Sequence, residues 1–267
     1  MMWDLVFCIF ACDTVPRYKD EILKIQETWG KKSLEYPTVK ILFMLGEEKT
    51  DLEGDCFIHL PGVQNDYMSA SYKQFLGLEY IYKHYPCRFV FICGTDTYVN
   101  IPKIMAFIGS FDPLEKLFIG GHGDVRIVEN QPVYFHCGGA GILQSFACQE
   151  AFQPFIPSVM ETWTQMCVNS DRHDLIAACD VALSYYMKYK VDARMVVQND
   201  FFINCNHRGD AVDMKCYGSD TCGHGEIHPE NLISCHCMTP DNFDEFTSLL
   251  ETNNWFLPFV PQDDVIS

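Results

Sequence analysis

Continuous apolar runs alternate with amphipathic, helix-like stretches along the first hundred residues of the chain. The apolar runs predict buried β-strands at residues 6–11, 39–45, 56–60 and 88–93. One helix is predicted to begin at a capping Asp13 or Thr14, with Pro16 in its first turn, and to end at Gly30. A second helix is predicted over residues 70–84. This alternation indicates an α/β fold with a mostly parallel sheet covered by helices.

The same alternation continues more weakly in the second half of the chain. Helices are predicted over 102–110, from near Ser145, from near Asp180 and over 243–251, and strands over 117–120, 133–137 and 232–234. A glycine-rich turn is predicted to open directly into the helix near Ser145. Beyond Asn199 the pattern fades into a region rich in Cys, His and Gly.

Composition and charge narrow the possible partners. The chain has 267 residues, 48% of them hydrophobic, and a formal net charge of −17 from 19 basic and 36 acidic residues. This charge disfavours nucleic acid as the main partner, because an acidic surface repels a phosphate backbone. No apolar run reaches the ~20 residues that a membrane span needs. The early apolar run of residues 5–12 lacks the basic flank of a signal peptide. An anchor removed from the sequence would leave the same picture, so the compartment stays open.

Fourteen cysteines raise the question of disulfides or zinc. Five of them lie in apolar surroundings and are interpreted as small buried hydrophobes: Cys8, Cys12, Cys93, Cys148 and Cys167. A denser C-terminal group comprises Cys205, Cys216, Cys222, Cys235 and Cys237. Disulfides or free thiols would account for the cysteines of this group. The more specific alternative is a zinc site around Cys235-His236-Cys237. The Cys-x₂₋₄-Cys pair typical of structural zinc sites is absent from this C-terminal group, which disfavours zinc there.

Four sites in the sequence carry candidate chemistry. Asp96 follows a predicted central strand, and ligands of parallel sheets bind beyond the carboxyl ends of the strands. Its carboxylate suits a hard cation that neutralises a diphosphate, although a turn Asp bonded to its own backbone has the same appearance. The turn at residues 138–141 allows close backbone approach, or is simply tight. Asp180 is predicted to begin a helix, where it is either a general base or a helix cap. His236 follows a short strand and is either a metal ligand or a half-buried side chain with no ligand role.

In this order, the motifs resemble glycosyltransferase family 31, the β1,3-glycosyltransferases that include Fringe and the core 1 β1,3-galactosyltransferase. The resemblance covers roughly residues 5–240 and rests on TWGKK at 28–32, KxxLGxxYIY at 73–82, GTDTYV at 94–99, GGAGxLxS around 138–145, CDVALS at 179–184 and SxH at 234–236. The chain departs from the family where an acidic triplet is reduced to Gly94-Thr95-Asp96. It also departs at Cys179, where the family has Glu, and at Ser184, where the family has Gly.

The resemblance implies one GT-A-type, Rossmann-like nucleotide-sugar-binding domain over residues 1–267. Residues 1–100 form its nucleotide-binding half, 101–240 its acceptor and catalytic half, and 241–267 a C-terminal tail. The implied activity is metal-dependent, inverting transfer from a UDP-sugar to a hydroxyl of a glycan or glycoprotein acceptor, with a β1,3 linkage. The implied cofactor is Mn²⁺ or Mg²⁺, and the mixed oxygen and nitrogen ligands favour Mn²⁺ over Ca²⁺.

By the same resemblance, particular residues receive roles. Asp96 and His236 are the implied metal ligands, and Asp180 is the general base. The donor is held by Thr14, Lys73, Thr95, Asp96, Gly139 and Gly141. Residues 124–132 and 154–174 are interpreted as loops that choose the acceptor.

Two alternatives come from other classes. A glycosyltransferase-like protein that binds sugar or nucleotide without turnover fits the reduced acidic triplet. A Cys/His metal-binding interaction protein on an unrelated α/β scaffold fits the C-terminal cysteines.

Overall fold

The continuous apolar runs of the sequence form the middle strands of a seven-stranded sheet. The computed structural model describes residues 2–48, 51–66, 69–202 and 229–256. In it, β1 (Trp3–Phe10) lies between β2 (Val39–Leu45) and β4 (Cys87–Cys93) and is parallel to both. Residues 5–9 of β1 have no exposed surface, because the strand is covered on both faces.

The order of the seven strands is β10-β6-β9-β4-β1-β2-β3. The remaining members are β3 (Phe57–His59), β6 (Leu117–Gly120), β9 (Ile142–Ser145) and β10 (Arg194–Val197). β9 runs antiparallel to its neighbours β4 and β6, and the other neighbouring pairs are parallel. The predicted α/β class with a mostly parallel sheet is confirmed.

Helices cover both faces of this sheet. They are α1 (Pro16–Glu27), α2 (Trp29–Ser33), α3 (Ser69–His84), α4 (Ile101–Ile108), α5 (Phe146–Phe152), α6 (Val159–Asn169), α7 (Cys179–Tyr186) and α8 (Pro240–Thr252). Alternate residues of β1 point to opposite faces, so Phe7 packs in a core with α1, α2, α4 and α8, while Cys8 packs in a core with α3, α5, α6 and α7. Within the described part of the chain, no helix has the length and apolar character needed to cross a bilayer.

Two smaller sheets complete the structure. In one, β12 (Ser234–Cys235) lies between β11 (Phe201–Phe202) and β5 (Tyr98–Val99), parallel to β11 and antiparallel to β5. The other is a hairpin of β7 (Gly123–Val128) and β8 (Gln131–His136), which packs against α7. The first small sheet joins the segment that follows β4 to a segment from the C-terminal part of the chain.

Two predictions about local structure are wrong, and a third is confirmed in part. A helix begins directly after Ser145, as predicted, but the glycine turn does not open into it, because residues 142–145 form β9 between β4 and β6. Residues 124–132 are mostly hairpin rather than loop. Residues 154–174 include α6, whose Trp163 is fully buried.

The ends of the first helix also differ from prediction. Val15 occupies the N-cap position and no side chain caps the helix, so neither Asp13 nor Thr14 does so. The helix ends at Glu27, and Gly30 lies inside α2 rather than at a helix end. A Cβ atom at Gly30 would lie 2.5 Å from the Ile25 carbonyl oxygen, so glycine is required there for close packing.

Gly141 provides the turn that leads the chain into β9. Its φ of +89° is in the region that favours glycine, and a Cβ atom there would lie 2.1 Å from Cζ of Phe91. We expect Gly141→Ala to lower the free energy of unfolding by roughly 2–5 kcal/mol, from backbone strain plus overpacking. Gly62 is the matched control, because its φ is +73° but nothing lies within 4 Å of its Cβ position. Gly62→Ala should cost only the backbone part, about 1–2 kcal/mol. Equal urea midpoints for the two variants would contradict the packing role.

Candidate active site

Asp96 and His236 meet at the carboxyl edge of the central sheet. Asp96 comes two residues before β5, and His236 comes directly after β12. Because β5 and β12 are antiparallel, with Tyr98 opposite Cys235, the flanking residues lie across from each other. The His236 Nε2 atom is 3.2 Å from Asp96 Oδ2.

The backbone on both sides keeps this pair in place. The Met238 amide donates to the Asp96 carbonyl at 2.9 Å, and the His236 amide donates to the Phe202 carbonyl at 3.0 Å. Between them, Cys237 adopts a left-handed φ of +59°, which is uncommon for a residue with a side chain. Its Sγ atom lies 3.3 Å from Nδ1 of His236. Both imidazole nitrogens therefore have a defined neighbour.

The electrostatics of the pair favour an ionised carboxylate. Burial by itself would raise the pKa of Asp96, but the hydrogen bond and charge of His236 outweigh it, so the pKa lies below its ordinary value. Both side chains keep some exposure, 30% for Asp96 and 21% for His236. The Asp96 carboxyl group is therefore ionised near neutral pH, and both side chains are accessible from solvent.

A turn of small residues lies against one side of the Asp96–His236 pair. It is the 3₁₀ turn Gly138–Ala140. A Cβ atom at Gly139 would lie 2.2 Å from Cε1 of His236, so the ring lies directly on the glycine backbone. The Thr97 hydroxyl donates to the Gly139 carbonyl at 2.8 Å, and the Ser234 hydroxyl donates to the Ala140 carbonyl. These bonds connect the turn to the segments that carry Asp96 and His236.

Asp180 lies on the other side of the same turn. Its Oδ2 atom accepts from the Gly138 amide at 3.1 Å, and its Oδ1 atom accepts from the Val181 amide at 2.9 Å. Burial raises the pKa of Asp180, while these backbone bonds and the positive charge of Arg126 oppose the rise. The result is a carboxyl group with a raised pKa and a fixed orientation, which suits a general base.

A cavity of about 260 Å³ opens beside Asp96, between the ends of β1 and β4. Its lining residues are Phe10, Ala11, Cys12, Val15, Tyr18, Asn65, Asp66, Ala70, Lys73, Gly94, Thr95 and Asp96. Ligand pockets commonly measure about 300–1,000 Å³, so this cavity is sized for part of a nucleotide sugar rather than the whole molecule. It combines aromatic and aliphatic walls with a few polar side chains, as binding pockets do.

Several residues predicted to hold a donor lie at or next to this cavity. Lys73 is nearly fully buried, and its ammonium donates to the Ala11 carbonyl at 2.7 Å and to Asn65 Oδ1 at 2.8 Å. Burial lowers the pKa of Lys73, although nearby acidic groups oppose this. Thr95 lines the cavity, and Thr14 is exposed near its rim, 3.4 Å from Cys12 Sγ. Gly139 and Gly141 lie in the turn described above.

The sequence analysis missed one buried polar residue next to the site. Glu21 on α1 has no exposed surface and accepts a hydrogen bond from the Thr95 hydroxyl at 2.5 Å. Arg17, one turn earlier, donates to the same carboxyl at 2.9 Å. Glu21 lies beside Ile22 and four residues before Ile25, both fully buried. The presence of an acidic residue on this apolar helix face was the sequence signal that could have identified Glu21.

The residues that meet at Asp96 fit a divalent cation. A carboxylate oxygen and an imidazole nitrogen converge in an accessible cleft, and the adjacent glycines leave the space open. A Cβ atom at Gly94 would approach Asp96 Oδ1 to 3.0 Å. One or two protein ligands suffice for a hard cation that also binds phosphate oxygens and water.

The zinc alternative finds less support in the described ranges. Cys235 is fully buried, and Cys237 lies against Nδ1 of His236. No group of three Cys, His, Asp or Glu side chains in those ranges is arranged to hold a metal. Cys205, Cys216 and Cys222 lie outside the described residues.

Comparison with known proteins gives a fold but no sequence family. No family model and no curated protein sequence matches the chain. The galactosyltransferase LgtC, solved with donor and acceptor sugar analogues, aligns with a TM-score of 0.52 and 11% identity over 97% of this chain and 98% of LgtC. The glycosyltransferase GlyE of Streptococcus pneumoniae TIGR4 aligns with a TM-score of 0.50 and 14% identity over 98% of this chain and 66% of GlyE. The chain therefore has the glycosyltransferase fold of the GT-A type that the sequence predicted.

Proposed function

We propose that the protein is a metal-dependent, inverting glycosyltransferase that moves a sugar from a UDP-sugar to a hydroxyl of a glycan or glycoprotein. The observation that carries this proposal is the juxtaposition around one glycine turn. Asp96 and His236 lie 3.2 Å apart on one side of the turn, and Asp180 is bonded to its other side. The fold shared with LgtC and GlyE supports the reaction class.

In this proposal, Asp96 and neutral His236 would hold Mn²⁺ or Mg²⁺. Such an ion would supply Lewis-acid stabilisation of the diphosphate leaving group. The Asp96 carboxylate is ionised at neutral pH, because its pKa lies below the ordinary value, and it would attract the cation. The rest of the chain contributes little positive charge, because its net charge is −17.

The cavity beside Asp96 binds the nucleoside end of the donor. Tyr18 and Phe10 offer aromatic surface to a base, and Asn65 and Lys73 offer polar groups. Thr14 and Thr95 lie at the rim and the inner wall. Gly139 and Gly141 lie against the rings of His236 and Phe91, so they contribute by letting the turn pack closely behind the site. The donor is thus placed with its diphosphate towards Asp96.

Asp180 removes the proton from the acceptor hydroxyl. Each of its oxygens accepts one backbone hydrogen bond and retains further acceptor capacity for that hydroxyl. The acceptor oxygen then attacks the anomeric carbon from the side opposite the diphosphate, the bond from that carbon to the diphosphate oxygen breaks, and the configuration is inverted. The β1,3 linkage and membership of family 31 rest on the motif order alone and are part of this proposal.

Asp180→Asn tests the base directly. Loss of a general base should lower the rate of sugar transfer by about 10²–10⁴-fold. Mn²⁺-dependent UDP binding should persist, because Asp180 does not touch the Asp96–His236 pair in the structure. Transfer is measured as UDP release from a panel of UDP-sugars, with Mn²⁺ and with EDTA. An absence of Mn²⁺-dependent UDP release from the unaltered protein, with UDP binding intact, would favour the binding protein without turnover.

Asp96→Ala and His236→Ala test the cation site. Each removes one proposed ligand, so UDP affinity in the presence of Mn²⁺ should fall by at least about tenfold. In EDTA, both variants should bind UDP as weakly as the unaltered protein does. Asp55→Ala is the matched control, because Asp55 is an exposed carboxylate away from the cavity. Unchanged affinity in either site variant, measured by titration calorimetry, would count against the site.

Arg126 connects the hairpin to the acidity of the base. Its guanidinium lies 5.2 Å from the ring centre of Phe135, and its positive charge acts to lower the pKa of Asp180. Transfer requires ionised Asp180, so the rate falls as pH drops through that pKa. Arg126→Gln removes a lowering influence, so the acid limb of the kcat–pH profile should move to higher pH. Arg126→Lys keeps the charge and should leave the limb in place. Coincident limbs for all three proteins would refute this coupling.

A further inference from the structure

We propose that Glu21 is a positioning residue of the cation site, which acts through the Thr95 hydroxyl to hold the loop that presents Asp96. This inference rests on the proposed function, because it concerns the metal ligand named there. Glu21 belongs to α1, while Asp96 belongs to the loop after β4. The contact therefore joins two separate elements at the edge of the cavity.

The carboxyl group of Glu21 is buried and directed at the loop. Its Oε2 atom accepts from Thr95 Oγ1 at 2.5 Å, and its Oε1 atom accepts from Arg17 Nε at 2.9 Å. Glu21 has no exposed surface. Its neighbours on the same helix, Ile22 and Ile25, belong to the apolar core. A carboxyl group in such a place costs stability unless it is fully hydrogen-bonded. The bonds from Thr95 and Arg17 offset that cost, and the bond from Thr95 joins α1 to the loop that carries Asp96.

The loop of residues 94–97 is fastened on both sides of Asp96. On one side, Thr95 is held by Glu21. On the other, Thr97 donates to the Gly139 carbonyl at 2.8 Å. Asp96 lies between these two anchors, and its carbonyl accepts from Met238. The anchor at Thr95 is the one that comes from α1, so its loss would free the N-terminal half of the loop.

Charge gives Glu21 a second effect at the same place. Burial raises the pKa of Glu21, and the negative charge of Asp96 adds to this rise, while the bonds from Thr95 and Arg17 oppose it. Glu21 bonds to Thr95, the residue directly before Asp96, so the two carboxyl groups lie at the same end of the loop. A divalent cation bound at Asp96 would interact favourably with both. Gly94 and Thr95 carry no charge, so Asp96 is the acidic residue among residues 94–97. Glu21 on α1 supplies a second acidic group from outside the loop.

Residues that orient a metal ligand typically contribute about 10–100-fold in metal affinity. We therefore expect Thr95→Val, which removes the hydroxyl but keeps the shape, to weaken Mn²⁺ binding by about 10–100-fold. Glu21→Gln keeps an acceptor oxygen for Thr95 but removes the charge, so its loss should be smaller. In the double variant, the loss of Mn²⁺ affinity should not exceed the loss in Thr95→Val plus the loss caused by removing the Glu21 charge. The reason is that the two residues act through one bond.

The experiment is a calorimetric titration of Mn²⁺ into protein saturated with UDP. The variants are Thr95→Val, Glu21→Gln and the matched control Lys24→Gln. Lys24 is on the same helix and forms an exposed ion pair with Asp244, at 2.6 Å, away from the loop. Lys24→Gln should change Mn²⁺ affinity by less than about twofold, as expected for loss of a surface ion pair.

A second readout separates positioning from a general loss of structure. In the transfer assay, Glu21→Gln should need more Mn²⁺ for half-maximal rate, while its kcat at saturating Mn²⁺ returns close to that of the unaltered protein. A lower kcat at every Mn²⁺ concentration would assign Glu21 a purely structural role and overturn the inference. The same conclusion follows if Thr95→Val and Lys24→Gln have equal Mn²⁺ affinities. If the unaltered protein itself binds no Mn²⁺ with UDP, the proposed function fails first, and the positioning role fails with it.

Discussion

The candidate site depends on the pairing of two very short strands. Asp96 and His236 are separated by about 140 residues in the chain, yet β5 and β12 place them 3.2 Å apart. This pairing is stabilised from the C-terminal side, because the ring of Tyr98 on β5 lies 4.7 Å from that of Phe246 on α8. A strand of only two residues, such as β12, is not stable in water through its own pairing. The apolar contacts of α8 therefore support the geometry of the polar site.

The electrostatic design follows from the strongly acidic chain. A diphosphate approaching a protein of net charge −17 meets general repulsion, so attraction must be local. Lys73 provides little of it, because its ammonium is buried and already bonded to Ala11 and Asn65. The carboxylates at Asp96 and Glu21 would themselves repel phosphate. In the proposed function, these acids would attract a divalent cation, whose positive charge would offset that repulsion.

The sequence predicted those features that depend on long, uniform patterns. The central strands were correct because they are buried on both faces, and α3 was correct because sixteen residues carry a clear pattern. The four-residue strand β9 was missed because its place is set by β4 and β6 rather than by its own sequence. Asp96 could be inferred from its position after β4, whereas His236 needed the resemblance to a known family. Glu21 was missed because helical acids usually face solvent.

The glycine turn determines how the two halves of the proposed chemistry relate to each other. Gly138 donates to Asp180, and Gly139 lies against the ring of His236, so the proposed base and the proposed metal ligand are separated by one short piece of backbone. Any side chain at Gly139 would displace the ring, and any at Gly141 would collide with Phe91. In-line displacement requires the acceptor hydroxyl and the leaving group to be held at a fixed separation. A backbone turn maintains such a separation better than two mobile loops would, and this explains why small residues lie at the centre of the site.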